Sequence, residues 1–178
     1  MRRQHQCRIQ PSCELLEERS LLSTLIALVD SGVDLTDPTD SRYYDFTQAY
    51  DAFNKQTASQ YGNGVVQDTS MQHGHGSTVA DLIVRAIIDT KSQPGASTVD
   101  VKIMPIRDTS SNLNIDNNSL IRGVYWAVDH GAAVINLSIR NYNADYYLSD
   151  PSDPHNGSSL SQAIQYAQTH GAVVVTAQ

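Results

Sequence analysis

Asp30 and His75 are the residues whose types and settings suit chemistry at a polar bond. Asp30 closes the apolar run 25–29 and is followed by Ser31 and Gly32. His75 stands inside Gly74-His75-Gly76-Ser77-Thr78-Val79-Ala80. Glycine on either side has no Cβ, so a backbone or a ligand can come close to the imidazole. A carboxylate that accepts a hydrogen bond from one imidazole nitrogen fixes the tautomer and leaves the other nitrogen as a base. Taken singly, Asp30 reads equally well as a turn aspartate and His75 as a loop or capping histidine. In this order and context the two together read as an orienting carboxylate and a general base.

Elements must bring the pair together. Residues 25–29 form a short apolar run closed by Asp-Ser-Gly, the pattern of a buried strand ending in a turn. Behind His75, the residues Val79, Ala80, Leu82, Ile83, Ala86 and Ile87 recur at three- and four-residue spacing. That spacing predicts a helix to about Asp89 with one buried face, and Ser77 and Thr78 suit its start. "KSQPGAS" predicts a loop, and "VDVKIMPIRD" the next strand. "DNNSLIRGVYWAVDHGA" predicts a helix with Leu120, Val124, Ala127 and Val128 on one face and Gly131 as its stop. "AVINLSI" predicts a strand, "LSQAIQYAQTHGA" a helix and "AVVVTAQ" a last strand. Residues 35–72, polar and rich in Tyr, Asn and Gln, read as a long connection with room for one irregular helix. Strand–helix–strand alternation implies an α/β fold: a mostly parallel sheet with helices on both faces. In such sheets reactive groups gather beyond the strand C-terminal ends, where Asp30 sits.

These motifs carry a resemblance. "IALVDSGVDLTDP" resembles the aspartate motif of subtilisin-like serine proteases, the subtilases, and "GHGSTVADLI" resembles their histidine motif, Gly-His-Gly-Thr-His-Val-Ala-Gly. "VKIMPIRD", "GVYWAVDHGAAVINLSI" and "AIQYAQTHGAVVVTAQ" are similar to the segments that follow, in family order, so the match spans residues 25–178. The resemblance implies a serine endopeptidase with Asp30 as orienting carboxylate and His75 as general base. It also implies that the strand Asn136-Leu137-Ser138 pairs with an extended peptide, with Ser138 and Ile139 on one wall of the substrate groove. It implies a polypeptide partner, no cofactor for the reaction, no residue assigned to a metal, and room for a structural calcium.

The sequence departs from the family pattern at four places. The second motif histidine is Thr78, and the closing glycine is Asp81. The edge strand runs Ser138-Ile139-Arg140 where Ser-Leu-Gly is usual. The aspartate that ligates calcium in some members aligns with Thr39, beside Asp40. The chain also stops on "VVVTAQ", ahead of the family's oxyanion Gly-Asn and of the Gly-Thr-Ser that holds the nucleophile. Ser77 belongs to the histidine motif, Ser138 to the edge strand, and Ser158, Ser159 and Ser161 open a helix. The expectation is a fragment of the domain that lacks its nucleophile. A non-catalytic pseudoprotease or peptide-binding module with the same fold is the alternative, and an unrelated α/β nucleotide-binding domain a third.

Composition narrows the field further. The 178 residues carry a formal charge of -7, which argues against nucleic acid. No apolar run is long enough to span a membrane. Cys7 and Cys13 fit no zinc pattern. Residues 1–23 are expected to be a leader or a disordered tail, with the peptidase domain over 24–178. "ELLEERSLLS" is similar to a leader of exported bacterial proteins, which points to the extracellular space or the cell envelope. His73 and His75 make a poor metal pair, since no third ligand is near. Gly62-Asn63-Gly64 reads as a turn. Asp145, Asp150 and Asp153 read as a solvated loop.

Overall fold

The computed structural model describes residues 23–68, 74–95, 99–110, 116–138 and 146–176. Strand β1 (Thr24–Asp30) is central. It pairs in parallel with β4 (Val101–Arg107) on one side and β5 (Val134–Leu137) on the other. Strand β6 (Val173–Thr176) extends the sheet beyond β5. On the far side, β2 (Tyr50–Asp51) runs parallel to β4, and β3 (Gln56–Thr57) closes that edge antiparallel to β2. The order is β3-β2-β4-β1-β5-β6, a mostly parallel α/β sheet as the strand–helix alternation predicts.

Helices cover both faces. Strand side chains alternate in direction, so β1 serves two cores at once. Ala27 and Val29 pack with Met104, Ile106 and Ile135 under α3 (Asn117–Asp129) and α4 (Leu160–Thr169). Leu28 packs with Ile103, Val66 and Tyr44 under α2 (His75–Lys91) and the short α1 (Ala58–Tyr61). Asp116 caps α3 by accepting from the Asn118 and Ser119 N–H groups. Ser159 and Gln162 form a reciprocal capping box at α4.

Four expectations need correction. The connection 35–72 holds more structure than one irregular helix: 3₁₀ turns at Asp40–Tyr43 and Asn63–Val66, α1, and the edge hairpin β2–β3. Two-residue strands carry no periodicity, so no sequence pattern marks them. The buried stripe of α2 is Ala80, Val84 and Ile87, while Leu82 is 61% exposed. The acidic loop is no solvated loop at Asp150 and Asp153. Both take the buried Arg122 of α3, whose Nε and Nη2 lie 2.8 Å from Asp153 and 3.1 Å from Asp150, and Lys55 also pairs with Asp150. Where the sequence suggests a simple turn at Gly62-Asn63-Gly64, Gly62 ends α1 and Asn63 and Gly64 open the 3₁₀ segment Asn63–Val66. Cys7, Cys13, His73, Ile139, Arg140 and Asp145 lie outside the described residues, as does the expected leader apart from its final residue, Ser23.

Candidate functional site

Asp30 is the last residue of β1 and is 1% exposed. Its neighbours β4 and β5 hold the strand end in register, so the carboxylate is fixed at the C-terminal edge of the sheet. His75 is the first residue of α2, and its side chain is half exposed. Its Nδ1–H donates to Asp30, at 2.8 Å from Oδ1 and 3.0 Å from Oδ2. The Ser31 backbone N–H donates to Oδ1 at 2.7 Å. With Nδ1–H so engaged, the lone pair sits on Nε2.

Two glycines allow this approach. A Cβ at Gly76 would stand 2.1 Å from the Gly32 carbonyl oxygen and 3.1 Å from the Asp30 Cβ. Gly32 has φ +112°, and a Cβ there would meet the Val66 carbonyl oxygen at 2.7 Å. The first turn of α2 therefore lies directly on the turn that follows β1. Ser31 Oγ accepts from the Gly76 N–H at 2.9 Å and donates to Asp68 Oδ2 at 3.1 Å. Ser77 Oγ donates to the same oxygen at 2.9 Å. Asp68 thus ties together the β1 turn and the helix start. Nothing in its sequence neighbourhood announces this role, since it depends on how the loop folds back.

Asp108 is a second residue that the sequence reading missed. It follows β4, and its N–H donates to the Asp30 carbonyl oxygen at 2.9 Å. Its carboxyl is fully buried, and neither oxygen has a hydrogen-bond partner. Burial first, then the nearby Asp30, pushes this carboxyl well above the usual carboxylate range. Burial also raises Asp30, but the bonds from His75 and Ser31 oppose it. One signal was available: "PIRD" closes an apolar strand with an aspartate, as "ALVD" does.

Ser138 follows β5, and its Oγ accepts from Asn136 Nδ2 at 2.8 Å. Among the described residues His75 bonds only to Asp30, and no serine hydroxyl reaches it. No group of three or more His, Cys, Asp or Glu among the described residues is arranged to hold a metal ion.

A profile of the subtilase family matches residues 23–178. The chain belongs to the subtilase family. Among relatives, it is 30% identical over 168 residues to fervidolysin of Fervidobacterium pennivorans, which covers 91% of this chain and 21% of fervidolysin. It is 33% identical over 132 residues to the cell wall-associated protease of Bacillus subtilis (strain 168), covering 73% of this chain and 13% of that protein. The chain thus spans about a fifth or less of the length of these relatives. Two solved structures share the fold. A lanthipeptide protease superimposes with a TM-score of 0.59 at 23% identity, over 86% of this chain and 38% of its own. A cold-adapted subtilisin-like serine proteinase gives 0.52 at 18% identity, over 86% of this chain and 46% of its own.

Proposed function

We propose that this chain supplies the aspartate and histidine of a subtilisin-like serine endopeptidase whose nucleophile lies outside these 178 residues. The observation that carries the reading is the bond from His75 Nδ1–H to the buried Asp30 carboxylate at 2.8 Å. That bond selects the tautomer with a basic Nε2. Nε2 takes the proton of a serine hydroxyl as the oxygen attacks a peptide carbonyl. Asp30 stabilises the imidazolium that results. The imidazolium then returns its proton to the leaving amine, and water hydrolyses the acyl-enzyme by the same route. The substrate lies extended beside the end of β5, with Ser138 on one wall of the groove. The reaction uses no cofactor. The site is extracellular or at the cell envelope, a placement supported by the likeness to a cell wall-associated protease. Among the described residues no helix is long and apolar enough to cross a membrane.

The test compares two proteins: the 178-residue chain and the product of the reading frame continued beyond codon 178. Each is treated with a serine-reactive fluorophosphonate and assayed for casein cleavage. The longer protein is expected to label and to cleave, and His75→Ala to abolish both. The 178-residue chain is expected to do neither. Losing a single oxyanion donor costs on the order of 10²–10³ in turnover, and here the nucleophile is outside the chain too. Stoichiometric labelling of the 178-residue chain, sensitive to His75→Ala, refutes the missing nucleophile. A longer protein that binds casein without labelling or cleavage makes the chain a peptide-binding module instead.

A further inference from the structure

Two of the positions where this chain departs from the family motif, Thr78 and Asp81, line one pocket. Its other walls are Asp34, Asp37 and Asp40, from the segment after β1, and Ser77 and Arg85 of α2. Its volume is about 310 Å³. Four carboxylates face a single guanidinium there, and Arg85 Nε is already held by Asp81 Oδ1 at 2.8 Å. Asp34 and Asp37 commit one oxygen each to their own turns, to the Thr36 N–H at 2.8 Å and the Thr39 N–H at 2.7 Å.

Asp40 is different. It is 6% exposed and lines the pocket, and among the described residues its backbone N–H donates to Asp37 Oδ1 while its carboxylate makes no hydrogen bond. Behind it the hydroxyl of Tyr44 is buried without a partner. Burial, then Asp40, Asp34, Asp37 and Asp81, all raise that phenol. Burial, then Asp37 and Asp81, raises the Asp40 carboxyl, with only Arg85 in opposition. A carboxylate this far from bulk water and without a partner is costly; it either takes a proton or is relieved by a cation entering the pocket.

The bland account is that these aspartates offset the positive N-terminus of α2. That end carries only about half a charge, too little to balance Asp37 and Asp40 together. A single metal ion fits poorly as well. Calcium needs six to eight oxygens converging at about 2.3–2.6 Å, whereas no three described acidic groups are so arranged. The space is also many times the ~30 Å³ share of one water molecule. A planar cation on a long stem suits it better, since a guanidinium presents five N–H donors in one plane to several carboxylates at once.

We propose that this pocket binds the arginine side chain of a polypeptide, with Asp40 as the buried anchor and Asp37 and Asp81 at the rim. The assignment stands apart from the peptidase reading, because it uses neither Asp30 nor His75. The arginine has two potential sources: this chain's own Arg2, Arg3 and Arg8, or another polypeptide. Binding weakens as acid neutralises the aspartates.

The test is a titration of the isotopically labelled full chain with N-acetyl-arginine amide, followed by NMR. The neutral isostere N-acetyl-citrulline amide is the control. Saturable shifts at Asp40, Ser77, Thr78 and Asp81 are expected with the arginine compound alone. Asp40→Asn weakens binding by about tenfold or more, the worth of a charged hydrogen bond. Asp81→Asn, on the helix surface, also weakens it and guards against misfolding of the first variant. Replacing Arg2, Arg3 and Arg8 by glutamine separates the sources: tighter binding of the probe means the chain's own tail competes, and unchanged binding means a separate polypeptide. Equal shifts with the citrulline compound overturn the proposal. So does displacement of the arginine compound by calcium at lower concentration than the probe itself.

Discussion

Asp30 and Asp108 end neighbouring parallel strands, and burial acts on both while their partners differ. Asp30 has the Ser31 N–H at 2.7 Å and the His75 Nδ1–H at 2.8 Å to hold its charge. Asp108 has nothing on either oxygen. Two adjacent buried carboxylates do not both ionise readily, and the one without donors takes the proton. A neutral Asp108 spares Asp30 a second negative charge and leaves it free to pair with His75. The folded-state value of Asp108 is raised above the unfolded value of 3.8. Its contribution is therefore fully present below that unfolded value and is lost as pH rises through the raised folded value. Asp108→Val removes two orphan acceptors at similar volume. It is expected to stabilise the fold by about 1–3 kcal/mol at neutral pH and to have little effect in acid. Thermal melts of both proteins across pH decide this. A variant that is less stable at neutral pH, or a gap that does not grow with pH, would sink the argument. Of these residues only Asp30 and His75 were legible in sequence, because their flanks mark them: an apolar run and a Ser-Gly turn for one, two glycines and a helix for the other. Ser31, Asp68 and Asp108 act through contacts between segments far apart in the chain, which no local pattern encodes.

At the scale of elements, the site depends on how closely the start of α2 sits on the turn after β1. Gly76 sets that distance. Its N–H donates to Ser31 Oγ at 2.9 Å, and an added Cβ would fall 2.1 Å from the Gly32 carbonyl oxygen. That oxygen is backbone, so the helix start itself must move. Gly76→Ala is therefore expected to cost about 1–3 kcal/mol as an overpacked contact and to break the His75–Asp30 bond. Gly64→Ala is the control, since a Cβ there meets nothing within 4 Å. The Nδ1–H proton of His75, visible downfield by NMR while it is held by Asp30, should vanish in the first variant and persist in the second. Its persistence in Gly76→Ala would show that the approach is looser than the structure has it. Long elements with a clear period were legible in the sequence: β1, β4, α2, α3 and α4 stand where the pattern predicts. The hairpin β2–β3 was not. Its two-residue strands exist because β4 offers an open edge, and Tyr50 and Asp51 pair with Ile106 and Arg107 there. The face of α2 was half legible, because the spacing admits both Leu82 and Val84, and only the sheet beneath decides between them.

At the scale of the whole molecule, the two ends of the sheet differ among the described residues. The β2–β3 hairpin covers β4, but β6 is last in order beyond β5. Along β6 the side chains alternate. Val174 faces the α3–α4 core, while Val173 and Val175 on the opposite face are 59% and 48% exposed. Helix α2, which covers that face elsewhere, lies over β1 and β4 and does not extend to β6. An apolar strand with a free backbone edge and a bare face is a template for pairing with another copy. The net charge of -7 opposes such contact between copies. Salt weakens that opposition, since the screening length falls to about 8 Å at physiological ionic strength. Self-association of the 178-residue chain is thus expected to grow with both concentration and salt. Val173→Lys with Val175→Lys places charge on the bare face without touching Val174, and should suppress association while the circular dichroism spectrum stays unchanged. Sedimentation velocity over a range of salt is the measurement. A chain that remains monomeric throughout would mean that β6 is protected by something other than charge, and the edge argument would fall.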